Sequence, residues 1–145
     1  MSSKLVRLGS AAAFQEVFGV SRETTERLAV YEALLKTWQR TINLVSPTTI
    51  EDAWHRHFAD SAQLLNFAPS GARNWLDLGS GAGFPGLVLA ILLAERVPEA
   101  HMTLVESDSR KAAFLREVAR KTGVAVEIRV ERSENTATQA KSQIR

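Results

Sequence analysis

The sequence contains no cysteine, which excludes disulfide bonds and thiolate metal sites. It also lacks a long hydrophobic run, because the longest, Leu87 to Ala94, is far shorter than the roughly 20 residues of a membrane-spanning helix. The run from Ala11 to Ala13 is too short for a signal-peptide core. The three histidines and scattered carboxylates lack the spacing of a metal site. We therefore expect a cytoplasmic protein without a metal centre.

No charge of one sign dominates the chain. It has 18 basic and 16 acidic residues and a net charge of +2, which excludes a polycation that binds nucleic acid over its whole surface. Much of the basic excess follows residue 109. This cluster is typical either of a solvated helix face or of a patch that faces phosphates, and the sequence leaves both interpretations open. Its members are Arg110, Lys111, Arg116, Arg120 and Lys121.

The first 70 residues have the pattern of an all-helical section. Apolar residues recur at helical spacing over residues 11–18, 21–41 and 50–66. The segment Pro69–Gly71 then interrupts the pattern. The predicted capping residues of these helices are Ser10, Ser21 and Thr49.

Strand and helix patterns alternate from residue 71 onward. Strands are predicted over residues 75–78, 101–106 and 126–130, with helices over 85–96 and, capped by Ser109, up to 122. This alternation predicts an α/β, Rossmann-like parallel sheet with flanking helices. Three strands make a narrow sheet, so we expect a fold that is incomplete at its C-terminus. The prediction is one domain, with a helical section (residues 1–70) before a truncated cofactor-binding part (residues 71–145).

Four of the eight glycines lie within residues 79–86, between the first predicted strand and the next helix. Glycine allows a tight turn and a close approach of ligand to backbone, and the N–H groups of a helix start face outward. A purely structural turn is one interpretation of this segment, which we call the glycine loop. A ligand site is favoured, because so many glycines beside an acidic strand end, Asp77, rarely serve packing alone.

Two ligands fit the glycine loop. Gly81 to Gly86 matches G-x-G-x-x-G, and Glu106 lies 20 residues later, as in sites for a nicotinamide or flavin dinucleotide. In the second alignment, which starts at Asp77, the first glycine directly follows the strand. The carboxylate of Asp77 then suits the positive charge of S-adenosylmethionine, whereas Pro85 removes an N–H that a pyrophosphate would need. We favour the methyl donor and keep an NAD(P)-dependent oxidoreductase as the alternative.

The segment from Asp77 to Gly86, DLGSGAGFPG, resembles motif I of class I S-adenosylmethionine-dependent methyltransferases. With residues 43–46 (NLVS), 56–61 (RHFADS), 106–111 (ESDSRK) and 114–118 (FLREV), the chain resembles the glucose-inhibited division protein B family. The resemblance implies methyl transfer to guanine N7 in 16S ribosomal RNA, with the RNA or the small ribosomal subunit as partner of a monomer. The family pattern continues past Arg145, so the resemblance also implies a truncated or non-catalytic RNA-binding form as an alternative.

The resemblance also implies the site residues. Gly79 and Phe84 would line the cofactor pocket, Glu106 would hold the ribose, and Ser133 and Glu134 would lie near the adenine. The cofactor-binding residues expected are Asp77, Gly79, Gly81, Gly83, Phe84, Glu106, Ser107, Ser133 and Glu134. The basic side chains expected to contact RNA are Arg110, Lys111 and Arg116.

Guanine N7 carries a lone pair and no proton, so its methylation needs no general base, and we expect no catalytic dyad. Catalysis would come from positioning and from exclusion of water. His57 and Asp60 lie on the third predicted helix. His57 is either a core histidine on an apolar stripe or, with Asp60, a residue on the substrate side. The sequence leaves both interpretations open.

Overall fold

The computed structural model describes residues 8–132. The first two helices, α1 (Ala11–Phe18) and α2 (Arg22–Gln39), lie where the apolar periodicity predicts them. Ser10 Oγ accepts a hydrogen bond from the backbone N–H of Ala13 at 3.2 Å, and Ser21 Oγ accepts one from Thr24 at 3.2 Å. Both predicted N-caps are confirmed, because each satisfies an N–H that the helix itself cannot.

The predicted third helix is wrong as a single regular α-helix. Residues 50–67 form a mixed helical segment of four consecutive pieces, and Thr49 makes no side-chain cap. The pieces are a 3₁₀ turn (Ile50–Asp52), a π-helix (Trp54–Ala59), the short α3 (Asp60–Ala62) and a second 3₁₀ turn (Gln63–Phe67). The buried Trp54 and Phe58 lie four apart and contact each other edge to face at 5.0 Å. Residues four apart share a side in α- and π-turns alike, so periodicity does not separate them.

The second section is a three-stranded parallel sheet, as predicted, with the order β1-β2-β3. Its strands are β1 (Asn74–Leu78), β2 (His101–Glu106) and β3 (Glu127–Val130), and they are connected by α4 (Gly86–Arg96) and α5 (Ser109–Thr122). The register pairs Leu78 with Val105 and Glu106 with Val130. The strands therefore end together at one edge of the sheet, where the glycine loop and the loop after β2 begin.

Two helix starts differ from their prediction. The N-cap of α5 is Asp108 rather than Ser109, and its Oδ1 accepts hydrogen bonds from Arg110 N at 2.8 Å and Lys111 N at 3.3 Å. A carboxylate one residue earlier reaches these N–H groups and also complements the helix dipole. The α4 helix begins at Gly86, one residue after Pro85, and the Phe84–Pro85 peptide is cis.

The helical section and the sheet section share one hydrophobic core. Residues 86–93 of α4 are buried on all sides, because α2 and the mixed helical segment cover the helix where it does not face the sheet. Tyr31 of α2, Phe58 and Phe114 of α5 are fully buried and in aromatic contact around Tyr31. The N-terminal helices are therefore packed directly behind the glycine loop.

Among residues 8–132, β1 pairs only with β2, and Leu76 and Leu78 on β1 keep 43% and 42% of their surface exposed. Within the same residues, every helix is too short or too polar to cross a bilayer.

Candidate cofactor site

Backbone hydrogen bonds fix the start of the glycine loop at the end of β1. Gly79 N and Ser80 N both donate to the carbonyl of Val105 on β2, at 2.9 and 3.0 Å. The Ser80 hydroxyl donates to the carbonyl of Asp77 at 3.1 Å, and Gly83 N donates to the carbonyl of Ser80 at 2.8 Å. The chain therefore turns immediately after the strand, as the alignment from Asp77 predicts.

Gly79 and Gly81 face open space. Both have left-handed backbone angles, with φ of 71° and 56°. Among the described atoms, a Cβ added at Gly79 would meet nothing within 4 Å, and one added at Gly81 would meet only the Gly79 carbonyl, at 4.0 Å. Glycine is needed here for its backbone conformation, and the side of the loop that a side chain would occupy is left open to a ligand.

Gly83 and Gly86 face the protein interior instead. A Cβ at Gly83 would overlap the hydroxyl of Tyr31 and lie 2.8 Å from Leu87 Cβ. A Cβ at Gly86 would overlap the carboxylate of Asp77 and lie 2.6 Å from Leu104 Cδ2. These two glycines let the loop and α4 approach the helical section and the sheet, so for them packing explains the residue type.

Glu106 joins the two loops at this edge of the sheet. Its Oε1 accepts a hydrogen bond from Gly81 N at 2.6 Å and its Oε2 accepts one from Asp108 N at 2.9 Å, while the residue is only 7% exposed. Each carboxylate oxygen has a second lone pair. Glu106 is therefore positioned to accept further hydrogen bonds beside the open side of Gly81, and the adjacent Ser107 is exposed.

Asp77 contacts the start of α4. Its Oδ2 accepts a hydrogen bond from Gly86 N at 3.0 Å, at the positive end of the helix dipole. Burial raises the pKa of the Asp77 carboxyl, with the charge of Glu106 acting in the same direction. Asp77 thus fixes the glycine loop to the helix that follows, whatever charge it also offers a ligand.

Phe84 brings His57 next to the glycine loop. The half-buried Phe84 ring is stacked on His57, with centroids 4.7 Å apart, and on Tyr31, with centroids 5.5 Å apart. The His57 Nε2 lies 2.9 Å from Thr49 Oγ1, and burial lowers the pKa of the imidazole. His57 is therefore a half-buried ring held against the loop, whereas Asp60 is exposed.

A cavity of about 970 Å³ lies between α1, the mixed helical segment and the end of α4. Its lining includes both residues predicted on the substrate side, His57 and Asp60, together with Arg56 and the exposed Phe67. This cavity meets the glycine loop through the stacked rings of His57 and Phe84.

The three basic residues predicted to contact RNA lie on one helix but at different heights. Arg110 and Lys111 are in the first turn of α5, next to the loop that follows Glu106. Arg116 is exposed about one and a half turns further along, where it lines a shallow depression against β3. Ser133 and Glu134, predicted to lie near an adenine, are outside the described residues.

The sequence profile of the rRNA small subunit methyltransferase G (GidB) family matches residues 24–144 of this chain. Proteins named Ribosomal RNA small subunit methyltransferase G are similar to it over most of its length. That of Rhodospirillum centenum is 62% identical over 124 residues, which are 86% of this chain and 55% of that protein. The Parvibaculum lavamentivorans protein is 54% identical over 129 residues, 89% and 57% of the two chains. The Rhodospirillum rubrum protein is 60% identical over 114 residues, 79% and 54%.

The chain belongs to the GidB family. It spans about half the length of the curated relatives that it matches. The predicted family and the Rossmann-like methyltransferase fold are confirmed, and membership of a methyltransferase family suggests a cofactor of the S-adenosylmethionine type.

The sequence predicts Tyr31 only as one of the apolar residues that recur over residues 21–41. Tyr31 is fully buried, and its hydroxyl donates a hydrogen bond to the carbonyl of Ala82 in the glycine loop, at 2.6 Å. The available signal is that Tyr31 is the chain's one tyrosine, on an otherwise apolar helix face with Leu28, Leu35 and Trp38. A buried tyrosine hydroxyl needs a partner, but the sequence does not say which.

Proposed function

We propose that the glycine loop and Glu106 bind S-adenosylmethionine, and that the chain belongs to an enzyme that methylates N7 of a guanine in 16S ribosomal RNA. The observation that carries this proposal is the open side of Gly79 and Gly81, together with the Glu106 carboxylate that is hydrogen-bonded to Gly81 N at 2.6 Å. Backbone without side chains allows a nucleoside to approach closely, and a carboxylate at the end of the second strand accepts hydrogen bonds from ribose hydroxyls. The residues present therefore fit the cofactor.

The remaining cofactor contacts follow from position. Ser107 would extend the Glu106 side of the site, the half-buried Phe84 ring would border it from the glycine loop, and Asp77 would supply negative charge from its position beside Gly86 at the start of α4. Ser133 and Glu134 remain predicted adenine neighbours. When bound, S-adenosylmethionine would supply an electrophilic methyl group on a sulfonium.

The chain's own residues would position the base and exclude water. Guanine N7 needs no proton removed, so His57, whose pKa is lowered by burial and whose ring is held by Phe84 and Thr49, is not required as a base. Instead His57, with Asp60, would border the target guanine at the wall of the 970 Å³ cavity. Because N7 lies in the deep, narrow major groove of A-form RNA, the target guanine would be unpaired or turned out.

RNA phosphates would be bound by Arg110, Lys111 and Arg116. Arg110 and Lys111 begin α5 on the same edge of the sheet as Glu106, so they are placed to contact RNA whose base reaches the glycine loop. The partner would be 16S ribosomal RNA or the small ribosomal subunit, met by a monomer in the cytoplasm.

Calorimetry with S-adenosylhomocysteine tests the cofactor assignment. We expect the unaltered chain to bind it, Gly81→Val to abolish binding, and Gly123→Val to leave it intact. Gly123 is the matched control, because it has φ of 77°, meets nothing described within 4 Å and lies at the far end of α5. Enhanced NADH fluorescence in place of S-adenosylhomocysteine binding would instead support the dinucleotide interpretation.

The substrate assignment has its own test. The chain is incubated with small ribosomal subunits or 16S RNA and a methyl-labelled donor, and N7-methylguanine is mapped by chemical cleavage of the RNA. Label at a guanine N7 supports the proposal, and label on another atom contradicts it. RNA binding without transfer would show that these 145 residues are a binding form without activity of their own.

A further inference from the structure

Tyr31 makes three separate contacts with consecutive residues of the glycine loop. Its hydroxyl donates to the carbonyl of Ala82 at 2.6 Å, its oxygen occupies the space that a Gly83 Cβ would need, and its ring is stacked on Phe84 with an angle of 5° between the planes. Tyr31 itself belongs to α2, 51 residues earlier in the chain. One side chain of the helical section thus contacts three consecutive residues of the loop.

The Tyr31 hydroxyl is protonated at neutral pH. Tyr31 is fully buried, and burial raises its pKa well above the usual value, with the charge of Asp77 acting in the same direction. The hydroxyl is therefore able to donate a hydrogen bond at neutral pH. The Ala82 carbonyl, 5% exposed as a residue, has this hydroxyl as its partner.

The hydrogen bond to the Ala82 carbonyl fixes the orientation of the whole Ala82–Gly83 peptide. The peptide is planar, so the direction of the Ala82 carbonyl sets the direction of the Gly83 N–H, which donates to Ser80 at 2.8 Å. Gly81 and Gly83 both have positive φ and little rotational preference of their own. A loop of such residues needs an external contact to keep one shape.

We propose that Tyr31 is a positioning residue for the glycine loop, and that its hydroxyl holds the Ala82–Gly83 peptide in the orientation that presents Gly79 and Gly81 to the cofactor. It acts through Ala82, Gly83 and Phe84 and touches no reacting atom. The identity of the ligand rests on the proposed function above, whereas the effect on the shape of the loop does not.

Tyr31→Phe is the decisive variant, because it removes the hydroxyl and keeps the ring that is stacked on Phe84. Thr122→Val is the matched control. Thr122 is also buried, and its hydroxyl also donates to a backbone carbonyl, that of Val118 at 2.7 Å, but at the end of α5 away from the loop. Both variants lose a buried hydroxyl-to-carbonyl hydrogen bond, and Thr122→Val also removes the acceptor of Val124 N at 3.4 Å, so its global stability is expected to fall at least as far as that of Tyr31→Phe.

Two readouts separate positioning from general stability. Relative to wild type, the amide hydrogens of Gly81 and Gly83 are expected to exchange about tenfold faster in Tyr31→Phe, after correction for the amides of residues 89–93 in α4, which report global opening. Thr122→Val is expected to show no such acceleration. The affinity for S-adenosylhomocysteine is expected to fall about tenfold in Tyr31→Phe alone.

Unchanged exchange of the loop amides in Tyr31→Phe, or equal acceleration in Thr122→Val, would overturn the proposal. If the unaltered chain fails to bind S-adenosylhomocysteine, the proposed function fails while the exchange comparison still decides the role of Tyr31. If global opening of Tyr31→Phe is too frequent for exchange of the loop amides to be resolved, 3-fluorotyrosine is placed at position 31 instead, because it keeps the hydroxyl. The loop amides of that protein must exchange at the wild-type rate, or the inference falls.

Discussion

A Cβ atom added at Gly79 or Gly81 would point into open space. One added at Gly83 would meet Tyr31, and one added at Gly86 would meet Asp77 and Leu104. The first half of the glycine loop is held by backbone hydrogen bonds to Val105 and by Glu106. The second half is held by contacts with α2 and the sheet. One glycine-rich motif therefore meets two separate requirements, close approach of a ligand and close approach of the protein to itself.

The difference predicts two classes of variant. Substitutions in the open half should change ligand affinity more than folding, and substitutions in the packed half should change folding first. Glu106 and Asp77 connect the halves to the sheet and to α4, so their variants test whether the two classes are separable.

The largest effect is expected for Gly83→Ala. The added methyl group would overlap the Tyr31 hydroxyl, lie 2.8 Å from Leu87 Cβ and force alanine to adopt φ of 98°. Overpacking and backbone strain together should lower the free energy of unfolding by about 4 kcal/mol, measured by urea denaturation. Adding Tyr31→Phe should recover part of this loss. A Gly83→Ala chain as stable as wild type would break the distinction between the halves.

The next effect is on affinity, in Gly79→Ala. Here the control is Gly123→Ala, since the two glycines have φ of 71° and 77° and each would place a methyl group more than 4 Å from any described neighbour. Both variants should lose about 1 kcal/mol of stability to backbone strain. Only Gly79→Ala should lose affinity for S-adenosylhomocysteine, by about a hundredfold in calorimetry. Equal affinities of the two variants would contradict an open ligand face at Gly79.

This division of the glycines could not be predicted from the sequence, although much else could. The strand β2 has its predicted bounds, and Glu106 lies beside the glycine loop because parallel strands end at one edge of a sheet. The atoms that crowd Gly83 and Gly86 include those of Tyr31 and Leu104, which are distant in sequence. Local pattern shows that glycine is present and not which neighbour requires it.

The mixed helical segment shows the same limit. Its apolar residues predict a buried helical face, and Trp54 and Phe58 are indeed buried. The type of turn depends on what packs against that face, including Phe14 of α1 against Trp54. The stacking of His57 on Phe84 depends on this packing, so the sequence could place His57 on a helix but could not bring it to the loop.

Glu106→Gln should affect both halves, by a smaller amount. The variant keeps one oxygen acceptor, which is neutral, so either Gly81 N or Asp108 N loses its acceptor and the other keeps only an uncharged one, and stability should fall by about 2 kcal/mol in urea denaturation. Ligand affinity should fall with it, because Gly81 is part of the open half. Glu117→Gln is the control, since its ion pair with the exposed Arg120 lies on the solvent face of α5, where water and salt screen the two charges. Equal losses in the two variants would remove Glu106 from the site.

The smallest effect is a pH dependence with opposite signs at two helix starts. Asp77 and Asp108 each accept backbone hydrogen bonds, at α4 and α5, but burial raises the pKa of Asp77, whereas the N–H groups of Lys111 and Arg110 lower the pKa of Asp108. A raised carboxyl pKa means that the folded protein holds the proton more tightly than the unfolded chain. The stability due to Asp77 is therefore present below its ordinary pKa near 3.8 and is lost as the pH rises through the raised value.

For Asp108 the sign reverses, and its contribution is present above that ordinary pKa and lost as the pH falls through the lowered value. Relative to wild type, Asp77→Asn should thus gain stability as the pH rises above about 4, whereas Asp108→Asn should lose stability as the pH rises through the lowered pKa towards about 4, in thermal unfolding at a series of pH values. If Asp77→Asn also lowers the affinity for S-adenosylmethionine more than that for S-adenosylhomocysteine, which lacks the sulfonium charge, the Asp77 carboxylate favours ligand binding at a cost in protein stability. Parallel pH profiles for the two variants would show that Asp77 is an ordinary helix cap. The role of its carboxylate would then be to stabilise the packed half of the loop through Gly86, and not to bind the ligand.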